Sequence, residues 1–284
     1  GFLFSPMSLV IDAQEVSVSS SQRASVALIA LGDTDVITDT VSTGSRGGST
    51  GVVSLSGSQT ISGAVDAGGD NLEIVADTLE INEALRSAGA NLSIRTIDQS
   101  RPIILGDLGE DDTEKEGSLH LTLNEISQLQ AGFNQIMIGD ENSSSLVRII
   151  GGMDNQGTRM PVVIHDDLVI NTPGSGGGIE VRSALQAKSL SVFGSGNTFE
   201  IYDEAITLTA GNAQIRDSML IAGDARITSS DNIQVSQTTG GIGGTVNANL
   251  NAQDDSNNTI QPPHTLTLEA NDRITFDERI GNDE

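Results

Sequence analysis

The chain contains no cysteine and no tryptophan, and Tyr202 is its single tyrosine. Without thiols, neither disulfides nor thiolate metal sites can form. Aromatic residues are only 2% of the total, which argues against a compact core built on large rings. Burial must come instead from Ile, Val, Leu and Ala in thin layers. Lysine occurs only at Lys115 and Lys188, and 14 Lys+Arg stand against 39 Asp+Glu for a net charge of −25. A nucleic-acid binder needs clustered basic residues to neutralise phosphate, so that partner class is excluded. Anionic membrane surfaces are disfavoured for the same reason. No apolar run approaches the roughly 18 residues that span a bilayer, so membrane insertion is not expected. The opening Gly1 to Met7 lacks an initiator methionine and a basic leader region. It reads as a processed chain or a fragment of something longer.

What is present is regular. Between Phe199 and Val235, apolar pairs with one residue between them recur as Phe199/Ile201, Ile206/Leu208, Ala213/Ile215, Met219/Ile221, Ala225/Ile227 and Ile233/Val235. A spacing of two places both residues on one face of a strand. Successive pairs follow at a nearly even stride, with turn formers such as Gly211-Asn212 and Asp231-Asn232 between them. No crossover helix fits in such gaps, and an antiparallel meander gives no reason for the even spacing. Three such strands sum to about 20 residues, one triangular coil of a parallel β-helix.

Internal repeats give the same length. Asn71-Leu-Glu-Ile74 recurs one such coil length later as Asn91-Leu-Ser-Ile94, each after an Ala-Gly. Leu79-Glu-Ile-Asn82-Glu83 is echoed near two coil lengths later by Leu121-Thr-Leu-Asn124-Glu125. Each Asn-Glu begins a predicted helix of one or two turns, capped by its Asn and ended by Gly. These helices are expected as excursions, with Ile126, Leu129 and Phe133 tucked against the coil.

Further strands are expected at Ile103 to Leu105, Ile136 to Ile138, Val147 to Ile150, Val162 to Ile164, Leu168 to Ile170, Ile179 to Val181, Leu190 to Val192, Leu266 to Leu268 and Ile274 to Phe276. Between about residues 100 and 200 the spacing loosens to 9–16, which predicts projecting loops. Another polar excursion spans Gly240 to Pro263. The predicted fold is all-β: a right-handed parallel β-helix of three sheets, with coils of about 20 residues and short helical and loop excursions. Residues 1–65 read as irregular N-terminal coils or a cap and 66–284 as the β-helix, one continuous domain. Roughly ten coils stacked about 4.8 Å apart make a rod on the order of 50 Å long.

On this pattern the sequence resembles the filamentous-haemagglutinin-like class of bacterial exoproteins. The stretch Leu121 to Gly139 looks like a unit of very large β-strand-repeat surface proteins, in which a strand and short helix lead to Gly-Phe-x-x-Ile-x-Ile-Gly, here Gly132 to Gly139. The clear match covers roughly residues 70 to 150. The resemblance implies a secreted, extracellular or cell-surface location and adhesion, matrix or filament roles. Self-association, neighbouring domains of a longer chain, and host or matrix glycans or proteins are the implied partners. It implies no catalytic residues.

Parallel β-helices also carry polysaccharide lyases and glycosidases, so that alternative must be weighed. Such sites need carboxylate pairs on one exposed sheet. The best local candidate is His165-Asp166-Asp167, which reads first as a turn before Leu168. His120 and His264 form no metal-ligand motif. No cofactor is required by anything in the sequence. Ca²⁺ is the ion that the acidic stretch Asp107 to Glu116 suits, through Glu110, Asp111, Asp112 and Glu114, although charge runs are usually solvated loops. Asp33-Thr-Asp35 and Asp254-Asp255 are weaker candidates. The apolar opening, Phe2 to Phe4 with Leu9 to Ile11, reads as a cap on its own core rather than a strand that docks on another subunit. The expected function is a non-enzymatic structural or adhesive module, a rigid rod or a filament-forming subunit.

Overall fold

The computed structural model describes residues 2–5, 8–20, 25–45, 52–61, 65–66, 71–109, 113, 117–202, 205–221, 223–236 and 266–276. Among these residues the protein is all-β and its strands pair almost wholly in parallel. The helix Leu123–Ser127 and one antiparallel contact, Gly152 beside Met160, are the exceptions.

The pairing resolves into three ladders that the chain visits in a fixed order. The first contains Asn71–Val75, Asn91–Arg95, Gln135–Gly139, Asp167–Asn171 and Ile233–Val235. The second contains Ile103–Gly106, Leu146–Met153 and Gly178–Val181, while Leu79–Ile81 pairs with Val52–Ile61. The third contains Val162–Val163, Leu185–Ala187, Ala205–Leu208 and Ala225–Ser229. Two long strands, Ser189–Ile201 and Ala213–Ile221, turn a corner and serve the first ladder with one half and the second with the other. Each apolar pair read from the sequence supplies one rung. Their alternation buries one face, which is why the ladders hold register.

Stacked columns follow. On the first ladder Leu72 lies beside Leu92, Leu92 beside Ile136, Ile136 beside Leu168, and Leu168 beside Leu190. A second column runs Ile74, Ile94, Ile138, Ile170, Val192, Ile215, Val235. Every member of both columns is buried, at roughly 1.5–3 kcal/mol of transfer free energy per large aliphatic side chain.

The asparagine of the repeated Asn-Leu-x-Ile has a defined task. Asn71 Oδ1 accepts from the backbone N–H of Asn91, one circuit on, at 3.0 Å. Asn212 Oδ1 accepts in the same way from the backbone N–H of Asn232 at 3.1 Å. Each asparagine side chain therefore satisfies a backbone amide at or just before the start of the next strand of the ladder.

Residues 96–134 depart from this regularity. Leu92 and Ile136 are direct neighbours on the first ladder. On the second ladder Ile103–Gly106 pairs with Leu119–Leu121 on one edge and with Leu146–Met153 on the other. The strand that comes earlier in the chain thus lies farther along the stack, and this ladder carries a surplus rung. At its end Gly106 has φ of 124°, and a Cβ there would stand 2.2 Å from the carbonyl oxygen of Gly151. Only glycine permits that approach.

The expected helix over Asn124 forms, but its N-cap is Thr122 and not Asn124. Thr122 Oγ1 accepts from the Glu125 N–H, and Glu125 Oε2 accepts from the Thr122 N–H at 2.8 Å, a closed capping box. The helix expected at Asn82 does not form. Leu85–Arg86 is a strand there, and Leu85 bridges to Leu129. Glu80 stands where the second copy has Thr122, so the echo lacks the capping hydroxyl. Ile126, Leu129 and Phe133 are buried, as expected.

In residues 1–65 the backbone also pairs in parallel, with Ser8 set against Asp33. Phe2–Ser5 pairs with Ala27 to Ala30 of its own chain, and Val52–Ile61 joins the first ladder at Asn71.

Candidate functional site

On the first ladder the residues between the two inward members of each pair face out, and successive rungs line them up. On the first ladder Ser191 pairs with Gln214, Gln214 with Gln234, and Gln234 with Thr275. These four floor a groove of about 810 Å³. The Gln214 amide donates to Gln234 Oε1 at 3.4 Å, linking adjacent rungs. Along the rim, Asp167 accepts from Ser189 Oγ at 2.8 Å and from Lys188 Nζ at 3.3 Å. Asn232 Nδ2 donates to Asn212 Oδ1 at 3.0 Å. Asp231, Asp272 and Arg273 complete that side. The lining is amide, hydroxyl and mixed charge, with no aromatic ring.

The second ladder presents a different strip. Glu180 is paired across the ladder with Arg148 and with Glu200. Its Oε2 accepts from Arg148 Nε at 3.0 Å and lies 2.8 Å from Arg182. The Arg182 guanidinium also stands 5.1 Å from the ring centroid of Tyr202, a cation–π distance. Tyr202 is pushed up to about 12, first by desolvation, then by its hydrogen bond to Glu200 and the charges of Glu200 and Glu180. Arg148 and Arg182 both engage the same oxygen of Glu180, Oε2, which ties this carboxylate into a charge-assisted network across the strip.

The residues singled out from the sequence are scattered among structural tasks. His165 and Asp166 form a bend before Leu168, as expected. Asp166 is buried, and its carboxylate accepts from the backbone N–H groups of Gly132, at 3.0 Å, and Phe133, at 2.9 Å. It holds the excursion to the next circuit. Asp167 belongs to the groove rim. His120 Nε2 donates to the Gly106 carbonyl at 2.6 Å. Asp107, at the head of the acidic stretch, accepts from the Leu123 N–H at 2.9 Å. Glu110, Asp111, Asp112, Glu114, Asp254, Asp255 and His264 lie outside the described residues, and for Asp33 and Asp35 only the strand pairing is described. Among the described residues no three His, Cys, Asp or Glu side chains gather as a metal site.

The groove and the strip escaped sequence reading because each draws on residues from several circuits. One signal was available: glutamine occupies the middle of both Ala213/Ile215 and Ile233/Val235. Comparisons with protein-family models, with curated proteins and with solved structures each return no match.

Proposed function

We propose that the chain winds as a right-handed, three-sheeted parallel β-helix. In this reading it serves as a non-enzymatic rod or filament subunit of a bacterial surface protein. The observation that carries the reading is the pair of buried aliphatic columns on the first ladder, in register from Leu72 and Ile74 to Ile233 and Val235. Nearest-neighbour stacking of this kind makes stability additive along the rod and leaves the outer faces free to vary. Extracellular display accords with the acid surface and with the resemblance carried by Gly132 to Gly139. Self-association, attachment to neighbouring domains and contact with matrix glycans or proteins are the partner classes that suit a rod. Any Ca²⁺ dependence belongs to the acidic stretch, and a melting temperature unchanged by added Ca²⁺ would remove it.

The alternative is a β-helical polysaccharide lyase or glycosidase. Its best residues are Glu180 and Glu200, adjacent in register, but Oε2 of Glu180 is already taken up by Arg148 and Arg182. Two measurements test the proposal. Negative-stain images should contain rods or fibres, and compact particles would overturn it. Incubation with polyuronates and surface glycans should release neither reducing ends nor unsaturated products; turnover that depends on Glu200 would establish the alternative.

A further inference from the structure

We infer that the groove over the first ladder binds an extended, uncharged polysaccharide segment lying along the stacking direction, an inference that rests on the surface-module reading above. The first argument is repetition. Ser191, Gln214, Gln234 and Thr275 place a hydroxyl or amide at every rung, so the floor repeats about every 4.8 Å over about 14 Å. A site that repeats along one axis suits a ligand that repeats along its own. The second argument is polarity. Amides and hydroxyls both donate and accept, as do sugar hydroxyls, whereas the lining offers no apolar pocket for the side chains of a peptide. The third is charge. Lys188 is paired with Asp167, and Asp231 and Asp272 outnumber Arg273 along the same rim. Together with a net charge of −25, this disfavours polyuronates and nucleic acids. The volume of about 810 Å³ falls in the upper part of the range for small-ligand sites.

Binding by hydrogen bonds without an aromatic platform is weak for one site. A rod or fibre that presents many copies converts weak sites into firm attachment.

The test is calorimetric titration of the full chain with cellohexaose and chitohexaose, with hexagalacturonate and hexalysine as charged comparators. The expected result is saturable binding of a neutral hexasaccharide. Gln214→Ala combined with Gln234→Ala should weaken it about ten-fold or more, the worth of two hydrogen bonds. Ser191→Leu, which replaces a floor hydroxyl with apolar bulk, should also block it. Glu73→Ala with Ser93→Ala, on the same ladder outside the groove, should leave it unchanged. No binding of either neutral sugar, equal binding by the double variant, or preference for hexalysine or hexagalacturonate overturns the inference. Images of the same unmodified sample separate the two readings. Rods without sugar binding sink only the glycan site, and compact particles sink the module itself.

Discussion

The stretch 199–235 and the stretch 96–134 solve the same packing problem differently. In the first, every rung is an apolar pair laid over another, and the Asn232 amide is met by Asn212 of the neighbouring rung. In the second, a helix and two parallel strands in exchanged order interrupt the stack, and two buried carboxylates hold the interruption. Glu125 Oε1 accepts from the Ile81 N–H of the preceding circuit at 3.1 Å. Asp166 reaches back from the following circuit to Gly132 and Phe133. Apolar stacking is generic and tolerant; carboxylate staples are specific and fail locally. Regular stretches should therefore lose stability globally when broken, and the excursion should come loose alone.

The largest effect is expected where the stack is regular. Ile215→Asp buries an unpaired charge and should cost on the order of 4–5 kcal/mol in urea unfolding, with protection against hydrogen exchange lost across neighbouring circuits. Asp166→Ala should cost about 3 kcal/mol by leaving the buried Phe133 N–H and the partly exposed Gly132 N–H without their charged acceptor. Exchange should then rise at Gly132 and Phe133 while the 199–235 stretch stays protected; equal loss in both stretches would erase the distinction. Glu125→Ala opens the capping box and frees the Ile81 amide, a loss of about 2 kcal/mol read in the same way. Asn212→Ala should cost about 1 kcal/mol, because the freed Asn232 groups can turn to water.

The smallest effect is a titration. The neutral form of Tyr202 is favoured in the fold, so its contribution is complete below the ordinary value near 10 and is lost as pH climbs toward about 12. As the single tyrosine, it gives an unambiguous tyrosinate absorbance. An ionisation midpoint at the ordinary value would show that Glu200 and burial do not act on it.

The sequence made the regular stretch legible because a spacing of two and a coil-length echo are local facts that stacking turns into columns. Each apolar pair from Phe199 to Val235 falls on a strand. The asparagine of Asn-Leu-x-Ile proved to be the acceptor for a backbone amide at the start of the next strand, a task that repetition marks without explaining. The excursion was half legible. The burial of Ile126, Leu129 and Phe133 follows from their pattern, but Thr122 took the cap because its hydroxyl reaches the Glu125 amide while Asn124 already lies within the helix. The placement of Ile103 to Leu105 beyond Leu119 to Leu121 has no local signature, since strand order depends on contacts across the loop. The groove was illegible for a related reason. Ser191, Gln214, Gln234 and Thr275 are unremarkable singly, and only the register brings them into one row.

The surplus rung lets the second ladder advance by two pairings, from Leu119–Leu121 through Ile103–Gly106 to Leu146–Met153, where the first advances by one, from Asn91–Arg95 to Gln135–Gly139. Two successive strands trade places there while both keep their parallel sense. A short insertion thus adds paired backbone to one ladder and leaves the count of its neighbour unchanged.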